Sequence, residues 1–353
     1  MGSGVDFNLD KIIPFVEHKK PDFANIQALL DNSLRSGHWA NFGPAAKQFE
    51  ATVYALLGEP GDRAVVACAS GTVALHCLVN AYGFKAGRPL RWVVSAFTFP
   101  CQVQGPLSGA IVVDCDSSGS LDIKAVRNIC PSSYDGIIIT NLFGASTATE
   151  DWVALGREHG KHIVLDSAAG FFSSPHVETV DGEIYSFHHT KPCGFGEGGC
   201  IIVPLEIEST LRMLLSNGAK GQCNDSHFCM NGKMSDVSAA FILERLQHAA
   251  EIREQHVEQY MRIERLSRSF GFTALANANP AFPSLVALIG PTLIPERKLI
   301  NFSVSMQKYY RPLSNDATMA INIFEHIVCL PCHQGMTEIS DKTLEGIFSQ
   351  LVC

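Results

Sequence analysis

Between Ala64 and Asp166, short apolar runs alternate with helical stretches at even spacing. The runs are Ala64–Ala69, Arg91–Ser95, Ala110–Asp114, Gly136–Thr140 and His162–Asp166. Between them lie helices predicted at Thr72–Asn80, Pro100–Leu107, Leu121–Asn128 and Glu150–His159. Strands that are apolar at nearly every position have no solvent face, and helical connections return the chain for parallel pairing. The pattern therefore demands an α/β fold with a mostly parallel central sheet covered by helices on both faces. Ile184–Phe187 and Gly199–Val203 extend that sheet, and Glu206–Leu215 reads as a further helix.

The flanks follow helical periods. Asp22–Arg35 carries Phe23, Ile26, Leu30 and Leu34 on one face, with Asp22 to cap its start and Gly37 its end. Gly43-Pro44 opens a second helix with Phe49, Val53 and Leu56 on one face. From Ser235 a long, interrupted helical pattern runs to Phe270. Beyond it, Ser284–Ile289 and Ile327–Leu330 read as strands, and Asp316–Phe324 and Asp341–Leu351 as helices. Residues 1–235 are expected to form a large domain with N-terminal helices. Residues 236–353 are expected to form a bridging helix and a smaller α+β domain.

Charge and cysteine use narrow the partners. The net charge of −8 and the lack of a long basic run argue against nucleic acid and anionic membrane surfaces. No apolar run reaches spanning length: Gly271–Pro295 is uncharged, but Pro280, Pro283, Pro291 and Pro295 break it. Twelve cysteines with no signal peptide ahead of them read as reduced, cytoplasmic thiols, and Cys68, Cys77, Cys115 and Cys200 sit in apolar stretches. Cys329-Leu330-Pro331-Cys332 has redox-pair spacing but lies far from any βαβ start. Neither Cys223 with Cys229 nor Asp114 with Asp116 gives a metal spacing, so no metal is expected.

The candidate chemistry gathers at strand ends, where parallel α/β sheets bind ligands. Ser70-Gly71-Thr72 stands between a strand and a helix: a plain helix cap, or a phosphate site at the helix N-terminus. Phe99 is a core ring, or one that covers a planar cofactor. Asp166 is a turn cap, or a partner for a protonated pyridine nitrogen. Ser186 stands five residues before Lys191, and Gly194-Phe195-Gly196-Glu197-Gly198-Gly199 follows. A lysine amine needs its pKa lowered before it can act as a nucleophile. Taken together, these residues suit pyridoxal 5'-phosphate (PLP), with Lys191 as the imine lysine and Asp166 across one shared cavity.

The order of these motifs resembles the DegT/StrS family of PLP-dependent nucleotide-sugar aminotransferases, of the aspartate aminotransferase fold (fold type I). The likeness runs from Gly43-Pro44 through Ser70-Gly71-Thr72 and Thr98-Phe99 to Asp166-Ser167-Ala168-Ala169. It continues through Ser186-Phe187-His188 with Lys191, Gly196-Glu197-Gly198-Gly199 and Asn231–Asp236, to Tyr310-Arg311-Pro312 and Leu330-Pro331-Cys332-His333. The resemblance implies that Lys191 is the imine lysine and proton shuttle, Asp166 the pyridine partner and Phe99 the stacking ring. It implies that Gly71, Thr72 and Ser186 bind phosphate, and that Asn231 reaches the phosphate of a partner subunit in a homodimer with composite sites.

The implied reaction moves an amino group, with glutamate the expected donor, to a keto group of a nucleotide-linked sugar, for cell-surface polysaccharide or secondary-metabolite sugars. One departure stands out: the family's glutamine, placed near the cofactor's phenolic oxygen, is Ala169 here. A lost hydrogen bond to a charged group is about 1.5–3 kcal/mol, and a water or a nearby histidine could take its place. The alternatives are another fold type I chemistry, as in sugar dehydratases or lyases, and a non-catalytic PLP-binding regulator. The presence of Lys191, where dehydratase relatives carry histidine, argues for transamination.

Overall fold

Asp22 opens the first helix as its position predicts: its side chain accepts the Ala24 and Asn25 N–H groups at the head of α1 (Phe23–Leu29). After α2 (Asp31–Ser36) the chain turns at Gly37, whose φ of +66° suits glycine. The computed structural model describes residues 12–171, 179–218, 226–275 and 281–353. Cys223 and Pro280, both noted above, lie outside the described residues.

Helix α3 (Pro44–Leu56) buries Phe49 and Val53. Leu56, expected on the same face, is exposed instead, and Leu57 just past the helix takes the place against the core. The head of α3 is fastened from far along the chain. The buried Asp236 carboxylate accepts the Ala45 and Ala46 N–H groups at 3.0 and 3.2 Å. A Cβ on Gly43 would lie 2.6 Å from that carboxylate, so only glycine fits there.

The central sheet uses β1 (Arg63–Cys68), β2 (Trp92–Ser95), β3 (Ile111–Val113), β4 (Gly136–Thr140), β5 (His162–Asp166), β6 (Gly182–Ser186) and β7 (Gly199–Pro204). Among the described residues their order is β1-β7-β6-β5-β4-β2-β3. Alternate side chains leave on opposite faces. Ile138, Val164, Ile184 and Ile201 join one apolar cluster. Ile137, Ile139, Ile163 and Leu165 join another on the far side. Helices α4 (Gly71–Ala86) and α7 (Leu205–Leu215) cover the first face, and α6 (Glu150–His159) covers part of the second. A short α5 (Ile123–Arg127) precedes β4.

Three details of the sheet and its connections depart from the sequence reading. Pairings from β2 to β6 are parallel, but β7 runs antiparallel to both β6 and β1. The link from β6 to β7 holds no helix, so the chain has no crossover and must come straight back. Helix α4 continues six residues past Asn80 and ends at Gly87, in the left-handed region. The stretch Pro100–Leu107 forms two short 3₁₀ turns rather than one helix, divided near Gly105 at φ +54°.

The long helical pattern after Ser235 resolves into α8 (Asp236–Leu246) and α9 (Ala249–Arg268), parted at Gln247-His248. A second sheet, of order β10-β9-β8, holds β8 (Thr273–Ala274), β9 (Val286–Ile289) and β10 (Ile327–Leu330), all antiparallel. Helices α10 (Thr318–His326) and α11 (Asp341–Val352) accompany it. Val286, Leu288, Val328 and Leu330 of this sheet share an apolar cluster with Ile263 of α9 and Phe348 of α11. Among the described residues no helix is long and apolar enough to cross a membrane.

Candidate active site

Parallel pairing brings the carboxyl ends of β4 and β5 level, with Thr140 opposite Asp166, and β6 ends beside them at Ser186. A cavity of about 550 Å³ opens over these ends. Gly71, Thr72, Phe99, Asp166, Ser186 and Lys191 all line it, so six of the seven candidate residues meet in one place. Asn231 does not: it is exposed outside this cavity, and its side-chain oxygen accepts the Lys233 ammonium at 2.7 Å.

One end of the cavity is built for an anion. Ser70 caps α4 by accepting the Val73 N–H at 3.2 Å, which leaves the Gly71 and Thr72 N–H groups without an acceptor in their own helix. No acidic side chain stands in the first turn to occupy the positive end of the dipole. The glycine is required: a Cβ on Gly71 would lie 2.8 Å from Ser186 Cβ. Gly199 of β7 is equally tight, 2.5 Å from the Ser70 carbonyl. These contacts bring the Ser186 hydroxyl against the head of α4, where helix N–H groups and a hydroxyl can grip one phosphate.

The other end holds a buried acid. Asp166 is 3% exposed and, among the described residues, has no salt bridge. Its Oδ1 accepts the Ala168 N–H at 3.1 Å, and its Oδ2 accepts Gln102 Nε2 at 2.7 Å. Burial raises its pKa, against the pull of Gln102, the Ala168 N–H and the Lys191 charge. A carboxylate in this state is completed by a cationic N–H donor, which a protonated pyridine ring provides.

Lys191 sits between the two ends, in the loop after β6. It is half-buried, and it faces the cavity. Burial lowers its pKa, while Asp166 and Cys101 oppose the shift. That is the direction a nucleophilic lysine needs. Phe99 remains 52% exposed, an apolar ring left bare beside the cavity. It meets Tyr310 edge-on at 6.4 Å, and Tyr310 in turn stacks on Phe143 at 5.2 Å and 11°. The residues present fit PLP: an anion cradle that a Cβ would fill, a bare ring, an unpaired buried acid and an amine of lowered pKa.

The wall at Ala169 is apolar. Ala169 is buried, and a void of about 10 Å³ lies against it, bounded also by Ser186, Lys191 and Phe282. Of the two histidines beside the lysine, His188 lines the cavity and bonds Thr190 Oγ1 at 2.8 Å, with Glu197 3.4 Å from its other nitrogen. His189 turns away, edge-on to Phe195.

Sequence reasoning missed Gln102. It is fully buried, and its amide nitrogen bridges Asp166 and Thr140 Oγ1 at 2.7 and 2.8 Å. The signal was a glutamine three residues after Phe99 inside an otherwise apolar stretch. Other residues prove structural. Asp114 accepts the Met319 and Ala320 N–H groups at the head of α10. Cys329 and Cys332 are buried; burial pushes Cys329 up to about 12 and Cys332 higher, the reverse of a reactive thiol pair.

Comparison with known proteins agrees with this geometry. The DegT/DnrJ/EryC1/StrS aminotransferase family model matches residues 22–281. Protein Rv3402c of Mycobacterium tuberculosis is 31% identical over 251 residues, covering 66% of this chain but only 60% of its own length. A dTDP-4-amino-4,6-dideoxy-D-glucose transaminase of Shigella dysenteriae is 23% identical over 97% of this chain and 99% of its own. Among solved structures, DesI with its TDP-sugar product superposes with a TM-score of 0.83 at 21% identity, over 97% of this chain and 92% of DesI. Helicobacter pylori PseC, an aminotransferase of pseudoaminic acid biosynthesis, gives 0.81 at 17% identity, over 97% and 98%. At such identities the likeness establishes the fold, which is that of fold type I PLP enzymes. The family model spans most of the chain, which belongs to the DegT/DnrJ/EryC1/StrS aminotransferase family, whose cofactor is PLP.

Proposed function

We propose that the protein is a PLP-dependent aminotransferase that passes an amino group from an amino acid, expected to be glutamate, to a keto carbon of a nucleotide-linked sugar. The observation that carries the reading is the meeting of Lys191, Asp166 and the head of α4 around one cavity. The substrate class is supported by those relatives that are named as dTDP- and UDP-sugar transaminases.

The cofactor, when bound, supplies an aldehyde that captures an amine and a ring that takes up an electron pair. The Gly71 and Thr72 N–H groups and the Ser186 hydroxyl hold its phosphate. Asp166 holds a proton at the ring nitrogen, and Gln102 and the Ala168 N–H keep that carboxylate aimed. Phe99 covers a ring face and excludes water. Lys191 would carry the proton lifted from the donor's Cα, acting first as base and then as acid. An amine that alternates between base and acid works best with a pKa near the working pH. Burial moves Lys191 in that direction.

Asn231 fits this scheme from a second subunit. It is exposed, and so are the apolar side chains of Trp39, whose carbonyl accepts the Asp236 N–H, of Val237 beside Asp236, and of Phe23 against Phe241. Such a surface suits a homodimer in which each Asn231 completes the partner's phosphate site. The setting is a reducing one, in keeping with the cytoplasm: Cys68, Cys77, Cys115 and Cys200 are buried thiols.

The test is a panel of nucleotide keto-sugars with glutamate, followed by mass spectrometry. An aminated sugar with matching 2-oxoglutarate is expected. A dehydrated sugar would favour lyase chemistry, and the absence of any half-reaction with glutamate would favour a regulator. Mixing the Asn231→Ala and Lys191→Ala proteins tests the dimer. Random exchange restores about a quarter of the sites if the asparagine acts across the interface, and none if it acts within its own chain.

A further inference from the structure

The loop that carries Lys191 has no helix or strand to hold it, yet its backbone is tied down by a lysine 172 residues earlier in the chain. Lys19 lies in the irregular segment before α1. Its Nζ donates to the His189 carbonyl at 2.6 Å, the Lys191 carbonyl at 2.5 Å and the Gly194 carbonyl at 2.6 Å. The Pro192 carbonyl is held too, by Arg245 Nε at 3.0 Å, and Arg245 pairs with Glu17, two residues before Lys19. Four carbonyls between positions 189 and 194 thus point at two cations.

The arrangement selects an ammonium. Three carbonyls need three N–H bonds, and a neutral amine has only two to give. Burial and Arg245 draw Lys19 down towards about 7, and Glu17 opposes them. No side-chain acceptor is used: every bond goes to the backbone of the lysine-bearing loop, Lys191's own carbonyl included. Gly194 completes the turn, because a Cβ there would lie 2.0 Å from the His188 carbonyl.

We propose that Lys19 is a positioning residue for Lys191: its ammonium gathers the three loop carbonyls and so sets the backbone conformation that aims the Lys191 amine into the cavity. The inference rests on Lys191 being the lysine that captures the cofactor. In that step the amine nitrogen bonds to the aldehyde carbon and one water leaves, so its rate reports how the amine is presented. Lys19 itself touches neither cofactor nor substrate.

The test uses the full chain stripped of cofactor. PLP is added, attachment is trapped with borohydride at timed intervals, and the labelled peptide is quantified by mass spectrometry. Amide exchange across residues 187–196 is measured in parallel, without cofactor. Lys19→Met keeps the length and removes the charge. Attachment at Lys191 is expected to slow roughly 10- to 100-fold, as displacements of about 1 Å do. Exchange in the loop is expected to rise while the rest of the molecule is unchanged. Lys19→Arg, which keeps charge and donors, is expected to recover part of the rate. Unchanged attachment in Lys19→Met overturns the proposal, as does slowing with no local change in exchange. If Lys19→Met does not fold, an attachment rate in Lys19→Arg equal to that of the unaltered chain, with its loop exchange raised, overturns it as well. Failure of the unaltered chain to label Lys191 at all would instead remove the cofactor reading on which the proposal stands.

Discussion

Lys191 belongs to the loop that Lys19 ties down, and the fates of the two amines differ. Both amines are buried enough to lose basicity. Lys19 spends all three of its hydrogens on backbone carbonyls. Lys191 faces a cavity with a carboxylate across it and no described hydrogen bond to its amine. Burial alone therefore does not make a lysine reactive. What separates the two is whether the nitrogen's hydrogens are already committed, one amine being a fastener and the other left open for chemistry.

Removing the open amine gives the largest effect. Lys191→Ala takes away both the attachment point and the proton carrier, and a loss of about 10⁴-fold in turnover is expected. The cavity's phosphate and ring contacts remain, so the variant should still bind the cofactor without a covalent link. Steady-state kinetics and borohydride trapping check the two halves separately. Turnover at the original rate would end the assignment.

Next comes the acid opposite. Asp166→Asn keeps the shape and the Gln102 contact but cannot hold a proton at the ring nitrogen. A fall of about 10²–10³-fold in turnover is expected, the size seen when a preorganised charge partner is removed. Trapping at Lys191 should survive, because the amine is untouched. Equal losses in trapping and turnover would mean that Asp166 serves the binding of the cofactor and not its electronics.

The open site was legible in the sequence, and the fastener was not. Lys191, Asp166, Ser186 and Ser70-Gly71-Thr72 lie at ends of apolar strands, and strand ends can be read from local pattern. The glycines announced themselves because the backbone must pass close by, as at Gly71 against Ser186. Lys19 and Gln102 gave no such signal. Each acts through atoms 170 and 64 residues away in the chain, and no local pattern encodes that pairing. The direction of β7 was hidden for a similar reason: its six apolar residues suit either direction, and only the helix-free link before it decides. The Asp236 contact at the head of α3 joins two motifs that the sequence shows but does not connect.

A third buried base shows burial acting together with charged neighbours, since Arg245 and Lys19 also push His256 down. His256 on α9 is 5% exposed, its Nδ1 lies 2.9 Å from the Pro283 carbonyl, and burial lowers its pKa to about 3. The unfolded chain takes up a proton near 6.5, before the folded chain does. Its contribution is thus complete above pH 6.5 and is lost as the pH falls towards 3. Between pH 6.5 and 5 the loss is about 2 kcal/mol. Urea denaturation of the cofactor-free protein should show this slope, and His256→Gln should flatten it. Parallel slopes would place the titration elsewhere.

The smallest effect is expected at the wall beside Lys191. Ala169→Gln places an amide where the family resemblance implies a glutamine, and a regained hydrogen bond to a charged group is about 1.5–3 kcal/mol. The void against Ala169 is only about 10 Å³, so the longer side chain must displace Phe171 or Phe282. Overpacking of that kind costs about 1–3 kcal/mol. The two terms nearly cancel, and cofactor affinity should change by less than about tenfold in either direction. Equilibrium dialysis of the cofactor against both proteins measures it. A large gain would mean that the phenolic oxygen lacks a donor in the native site. A large loss would mean that overpacking against Phe171 or Phe282 outweighs the regained hydrogen bond.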